Sequence, residues 1–308
     1  SGGLGGDLSF RDDDGFAITA VNANTNDITL STDGTVTQTG AITNTGTLTL
    51  TSNGGGGTAV FTLNTVNNAV SAIDADSAQL DTVNYRNDAV FDVAGIDTDN
   101  LASLRSDGAV TQSGSIITAS LELIGNGSFA LTNANNDADT IAANCAGEIQ
   151  YTELNDVNVG TVNATTGLTT NNGDITINHT GGYVYVEDGA DISAGNGTTN
   201  SVFREAGGGD VILAADILAD SDTSPSDSAI IFNGKVFIIG QVELNIRNAG
   251  ETVTFNNDVH IYEDGAGSGA RLDLIGNDTL QVRNMVVYRG TLDLGGNDLR
   301  TTQDFVVL

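Results

Sequence analysis

Large apolar residues recur at every second position in short segments of this chain. In Thr47-Leu48-Thr49-Leu50-Thr51 and Asp174-Ile175-Thr176-Ile177-Asn178, Leu or Ile falls on one side and Thr or Asn on the other; Tyr183-Val184-Tyr185-Val186 alternates likewise. A period of two belongs to strands. The segments run about five to eight residues, the length of ordinary strands. Between them stand Asn126-Gly127, Asn172-Gly173, Asn196-Gly197, Asn233-Gly234 and the run Asn53-Gly54-Gly55-Gly56-Gly57, residues that accept the positive φ of tight turns. The best helical candidate, Ala214-Ala215-Asp216-Ile217-Leu218-Ala219, is too short to stand alone. The pattern predicts an all-β chain.

The pattern also returns. DGTVTQTGAI at 33–42 reappears as DGAVTQSGSI at 107–116, and FTLNTVNNAV at 61–70 reappears as FALTNANNDA at 129–138, with a slightly shorter offset. Imperfect repeats of short strands cut by Gly, Asn and Asp are the mark of a solenoid. In a parallel coil each strand lies about 4.8 Å from its equivalent in the next turn, so like residues stack on like. The pairs Asn67-Asn68, Asn135-Asn136, Asn171-Asn172 and Asn256-Asn257 are candidates for ladders at corners. Coils of about 20–24 residues predict roughly 13–15 turns and a rod of about 60–70 Å. Residues 1–200 read as Thr- and Asn-rich coils. Residues 201–308 read as a continuation of the same solenoid with denser aliphatic strands, such as Val236-Phe237-Ile238-Ile239. The only proline, Pro225, marks a loop at 221–227.

Charge narrows the function. The chain has 40 acidic and 10 basic residues, a formal net charge of −30. Phosphate backbones are held by Lys and Arg, so nucleic acid is excluded as a partner; anionic lipid surfaces are disfavoured for the same reason. No run of about 18 apolar residues is present to enter a membrane. Cys145, the single cysteine, allows no internal disulfide and reads as a small buried residue. No signal peptide is visible, and the first residue is Ser1, which suggests a removed leader or an excised segment. The Asn-, Thr-, Asp- and Gly-rich composition, with Lys235 the one lysine, is that expected outside a bacterial cell.

Val36-Thr37-Gln38-Thr39-Gly40-Ala41-Ile42 followed by Gly46-Thr47-Leu48-Thr49-Leu50-Thr51 resembles the repeats of filamentous-haemagglutinin-like bacterial surface proteins, as does the stretch 159–177. Gly290-Thr291-Leu292-Asp293-Leu294-Gly295-Gly296-Asn297-Asp298-Leu299 resembles the later coils of large autotransporter-like repeat proteins. The resemblance implies an exported, right-handed parallel β-helix serving adhesion or surface architecture. The fold expected is therefore an all-β, right-handed parallel β-helix, a β-solenoid in the form of an elongated rod.

Four kinds of chemistry come into question for such a chain. Calcium suits its acidity. Gly2-Gly3-Leu4-Gly5-Gly6-Asp7 fits only the start of the calcium nonapeptide, and Ser9 stands where a large apolar residue should follow. No acidic turn has the full spacing of a calcium loop; Asp12, Asp14, Asp97 and Asp99 are the best candidates, and no cofactor is required. A polysaccharide-acting enzyme would need acids with Arg, Lys or His on one face of stacked coils. His179 and His260 lie on different strands, far apart in sequence, and both read as facing outward. The chain has no Trp to stack on sugars. An ice-binding face would need the alternating Thr43, Thr45, Thr47, Thr49 and Thr51 to persist through many coils; Thr as an outward strand residue is the simpler account. Assembly is favoured. A solenoid exposes unpaired backbone at its ends, and no cap helix is seen beside Leu8 and Phe10 or beside Phe305, Val306, Val307 and Leu308. The function expected is a non-enzymatic, extracellular structural subunit that joins copies of itself head to tail into a surface fibre or sheath. The alternative is an adhesin passenger segment that binds host or neighbouring-cell surfaces, with cell-surface glycans among its candidate partners; a polysaccharide-acting β-helix enzyme comes third.

Overall fold

The computed structural model describes residues 6–54, 58–77, 79–195, 202–219, 228–246, 252–262, 270–275, 279–296 and 298–307. The residues at 1–5, Gly55, Gly56, Gly57, Asn196, Gly197, the loop at 221–227, Asn297 and Leu308 lie outside this set. The chain is all-β with no helix among the described residues, and parallel strands stack into a β-solenoid of about 13 turns. The segment at 214–219 is a bend followed by the strand Ile217–Ala219. The chain divides into two compact units, residues 1–139 and 140–308.

In the first unit Leu8, Ile28, Leu48, Ile73 and Val93 pair in register from coil to coil. The turns are of one length except that between Leu48 and Ile73, which is longer. A second column holds Phe16, Val36, Phe61, Val83, Ala102 and Leu121. From Ile28 and Val36 onward these side chains are fully or almost fully buried, and each Val, Leu, Ile or Phe among them contributes about 1.5–3 kcal/mol from the apolar surface it removes from water. The outward positions follow by alternation. Thr49 lies between Thr29 and Asp74, so that threonine column ends after two coils.

The sequence repeat does not stack on itself. Val36 belongs to the column just named, whereas Val110 pairs with Phe91 and Phe129. What recurs is a corner. Gln38 Nε2 donates to Asn68 Oδ1 (2.8 Å), and Asn68 Nδ2 donates to Gln38 Oε1 (3.2 Å) and to the carbonyl of Leu63 (2.9 Å). Asn68 Oδ1 also accepts the Ile42 N–H at 2.9 Å. The second copy repeats each bond: Gln112 Nε2 to Asn136 Oδ1, Asn136 Nδ2 to Gln112 Oε1 (3.2 Å) and to the Leu131 carbonyl (3.2 Å), and the Ile116 N–H to Asn136 Oδ1 (2.9 Å). Both asparagines are completely buried. The two copies share one spacing, in which Phe61-x-Leu63 leads to Asn68 as Phe129-x-Leu131 leads to Asn136. The same amide clasp closes both corners.

In the second unit the turns are longer until the last coils, which return to the length seen in the first. Ile149, Ile175, Phe203, Ile230, Val253 and Leu280 stack in one column at wider, less even spacings. A second column holds Val157, Val184, Val211, Val236, Val259 and Met285. Phe232 and Phe255 stack face to face inside the coil, 4.9 Å apart and 6° from parallel. A short antiparallel hairpin, Thr161–Val162 against Thr165–Thr166, leaves the ladder here; Asn163 turns it in the left-handed region, with a φ of 52°. The Asn pairs of this unit are not buried ladders: Asn171 and Asn172 are not in the core, and exposed Asn256 donates to Asn233 (2.8 Å).

Replacing Asn68 by Ala leaves the Ile42 N–H and the Leu63 carbonyl without their partner inside the coil, at about 1–3 kcal/mol for each buried group. The urea midpoint of Asn68→Ala is expected to report a loss of about 3 kcal/mol, against less than about 0.5 kcal/mol for the exposed Asn171→Ala. Equal losses would show that the clasp does not hold the corner.

Candidate functional site

The outer face of the second unit carries a feature that the alternation concealed. In Tyr183–Val186, Asp210–Leu213, Val236–Ile238 and the coils above them, the inward positions are Val, Leu, Ile or Met. The outward register runs Tyr185, Ile212, Phe237, His260, Val286 and Val306. His260 is therefore outward, as expected. Its ring is 5.2 Å from that of Phe237 and 5.9 Å from that of Tyr288, tilted by 19° and 12°. Tyr262 meets Tyr288 edge to face at 5.5 Å. Tyr262, the most exposed of these rings at 52%, leaves much of its surface to solvent. One rim of the stripe is polar: Tyr183 stands beside Asp210, and Asn284 donates to Asp258 (2.7 Å). Burial, then Glu187 and Asp188, push the Tyr185 phenol above its ordinary value, which keeps it a neutral hydrogen-bond donor. A face of stacked rings edged by hydroxyls and carboxylates can bury apolar surface and hydrogen-bond at its margin.

A second outward column is acidic. Glu243 lies in register with Asp273, and Asp273 with Asp293. Below them the Glu243 N–H donates to Asp216 Oδ1 (2.7 Å) and the Asp216 N–H to Asp191 Oδ1 (3.1 Å). Arg271 joins the upper part, with Nε 2.6 Å from Asp273 and Nη2 3.0 Å from Asp293. Asp191, Ser193, Asp216, Leu218, Glu243 and Asn245 line a shallow cavity of about 300 Å³. Burial raises the Asp216 carboxyl, the Glu243 amide lowers it, and Asp191, Asp273 and Asp188 add to the rise. The structure thus brings acids and an arginine together on stacked coils. Two of these carboxylates accept backbone N–H groups of the next coil, and Arg271 is held by two others.

The calcium candidates fall in separate places. Asp12 Oδ1 accepts the Asp14 N–H at 3.0 Å within one exposed turn. Asp97 lies in register with Asp76, several coils away; burial first, then Asp76 and Asp99, raise its carboxyl. Among the described residues no group of three or more His, Cys, Asp or Glu side chains is arranged to hold a metal ion.

Of the proposed assembly residues, Leu8 is half-buried and Phe10 exposed, the latter packed edge to face on Phe16 at 4.5 Å. Leu8, Phe10, Phe16, Ile18, Val21 and Leu30 line an apolar cavity of about 210 Å³. In the second unit Phe305, Val306 and Val307 are all exposed, while their strand pairs on one side with Met285, Val286 and Val287.

His179 corrects an expectation. It is buried, not outward: it continues the inward parity of Ile175 and Ile177 and contacts Glu205 of the next coil. Cys145 is buried, and burial pushes its thiol up to about 12, against a smaller lowering by the Asn144 backbone. At about pH 8, near the ordinary thiol value, the folded chain is expected to resist Ellman's reagent and to react fully once unfolded in guanidinium chloride. Rapid labelling of the folded chain would contradict the buried position.

Compared with models of protein families, with curated proteins and with solved structures, the chain matches none. What stands on the structure itself is a parallel β-helix repeat protein.

Proposed function

We propose that the chain is a non-enzymatic, extracellular structural solenoid of the filamentous-haemagglutinin-like or autotransporter-like kind, and that it builds a bacterial surface fibre or sheath by adding coil upon coil between copies. The observation that carries this reading is the in-register parallel ladder itself, in which Val259, His260 and Ile261 pair with Met285, Val286 and Val287, and these in turn with Phe305, Val306 and Val307. A strand of another copy added in the same register would gain ladder hydrogen bonds and cover apolar side chains such as the exposed Phe305, Val306 and Val307. The exposed Phe10 and its apolar cavity offer a second such surface in the first unit. Head-to-tail addition of unlike surfaces gives an open filament. Divalent ions bridging the acidic faces would let chains of net charge −30 lie together.

Electron microscopy of the purified chain, with calcium and with chelator, tests this. Continuous filaments are expected; their loss in chelator would place calcium in the joint. Dispersed single particles in both conditions would overturn the reading.

The aromatic stripe favours a second reading, an adhesin segment that binds cell-surface glycans. Binding of the monomeric chain to glycans or cells, lost by at least about tenfold in a Tyr262→Ser/Tyr288→Ser variant with unchanged circular dichroism, would support it; a tenfold loss corresponds to about 1.4 kcal/mol. The acidic column supplies the arrangement that a polysaccharide-acting enzyme would require. Its carboxylates serve the coil backbone and Arg271, so this reading ranks third; depolymerisation of a polysaccharide by the chain, abolished in Asp216→Asn, would raise it.

A further inference from the structure

We infer that His179 and Glu205 form a buried imidazolium–carboxylate clasp, and that this clasp makes the corners of the coils at 175–234 a lock that is closed by a proton. The histidine side chain is wholly shielded from solvent and that of Glu205 is 1% exposed. His179 ends the strand Ile175–His179, and Glu205 ends the next strand of the same column, Phe203–Glu205.

The hydrogen-bond geometry assigns the charge. Nε2 of His179 is 3.1 Å from Glu205 Oε1, and Nδ1 is 3.3 Å from the carbonyl oxygen of Gly181. A carbonyl only accepts. Glu205 Oε2 accepts two backbone N–H groups, those of Asn233 and Gly234, each at 2.8 Å, as an ionised carboxylate does. Both ring nitrogens therefore face acceptors when Glu205 is ionised, and with that carboxylate only the doubly protonated ring satisfies both. A neutral ring turns one lone pair toward an oxygen inside the coil.

The surroundings keep water from replacing the lost bond. A Cβ on Gly207 would collide with the ring's Cδ2, and one on Gly209 with Cε1. Glycine at these two places lets the backbone close over the imidazole. The ionisable groups that face His179 from the neighbouring strands are Glu205, Asp210 and, from the coil below, Glu153. Glu153 accepts the Tyr151 hydroxyl (2.6 Å) and the N–H groups of Leu154 (2.9 Å) and Asn155 (3.1 Å).

The proton balance agrees with the geometry. Burial pulls the imidazole's proton affinity down; the Glu205 bond and charge, the Gly181 carbonyl and Asp210 pull it up, and the net shift is upward. A group whose folded value is raised stabilises the fold fully below its unfolded value, about 6.5 for histidine, and loses that stabilisation as pH rises through the folded value. The lock thus closes on the acid side and opens on the alkaline side.

The test is nitrogen-resolved NMR of the imidazoles in the whole chain, with hydrogen exchange across the same pH range. Both nitrogens of His179 are expected to be protonated at about pH 6, and its titration midpoint to lie above the ordinary histidine value of about 6.5. As His179 loses its proton, protection of the Asn233 and Gly234 amides should fall by about tenfold for each unit of its shift, with no matching change in Ile28–Thr32. In Glu205→Gln the His179 midpoint should drop below the wild-type value. A midpoint at or below the ordinary value of about 6.5 would overturn the inference on wild-type chain alone, whether or not the variant folds. Unchanged protection through the titration would overturn the lock while leaving the ion pair.

Discussion

The parallel backbone ladder governs this molecule. Each strand must offer its N–H and C=O groups to the coil above and below at a spacing of about 4.8 Å, and every side chain must then tolerate a neighbour at that distance on both sides. Apolar residues meet the demand by stacking, as in the Val157 to Met285 column. Outward carboxylates meet it less easily. Where Glu243, Asp273 and Asp293 fall in one column, Arg271 comes between charges of one sign, and lower down Asp191 and Asp216 turn to backbone N–H groups of the adjoining coil.

Corners set a different problem, because there the ladder breaks and polar groups are left inside. The two units answer it differently. The first uses neutral amides, Gln38 with Asn68 and Gln112 with Asn136, each group both donating and accepting. The second uses the pair His179 and Glu205, and separately Glu153 under the Tyr151 hydroxyl. Amide pairs keep their hydrogen bonds at any ordinary pH, whereas an ionic pair depends on a proton. Breaking a buried ion pair from one side typically costs about 3–5 kcal/mol, so this corner concentrates stability in a titratable contact.

The strands and their winding were legible because alternation and turn residues repeat along the whole chain. Ile175 and Ile177 read as inward from sequence alone, and the same count places His179 inward; the polar side chain obscured the parity of its own strand. The aromatic stripe was hidden for the opposite reason. Val211-Ile212-Leu213 and Val236-Phe237-Ile238 are apolar on both sides of the strand, so hydropathy does not say which residue points out. Register was beyond reach as well, since the turn from Ile175 to Phe203 is longer than that from Leu8 to Ile28, and no residue pattern announces the change. The sequence repeat pointed to a solenoid but marked its corners, with Val36 and Val110 in different columns.

The hairpin of Thr161–Val162 and Thr165–Thr166 stands apart from these constraints. Its strands pair with each other, the hydroxyls of Thr161 and Thr166 lie 3.0 Å apart, and the Gly167 N–H returns to the Gly160 carbonyl at 2.9 Å. The excursion closes on itself before the coil resumes at Leu168–Thr170. Exposed tips of this kind accept added sequence where regular strands do not. The solenoid thus contains a port at which a peptide or a small domain can be displayed, carried on the coil without entering any of its columns.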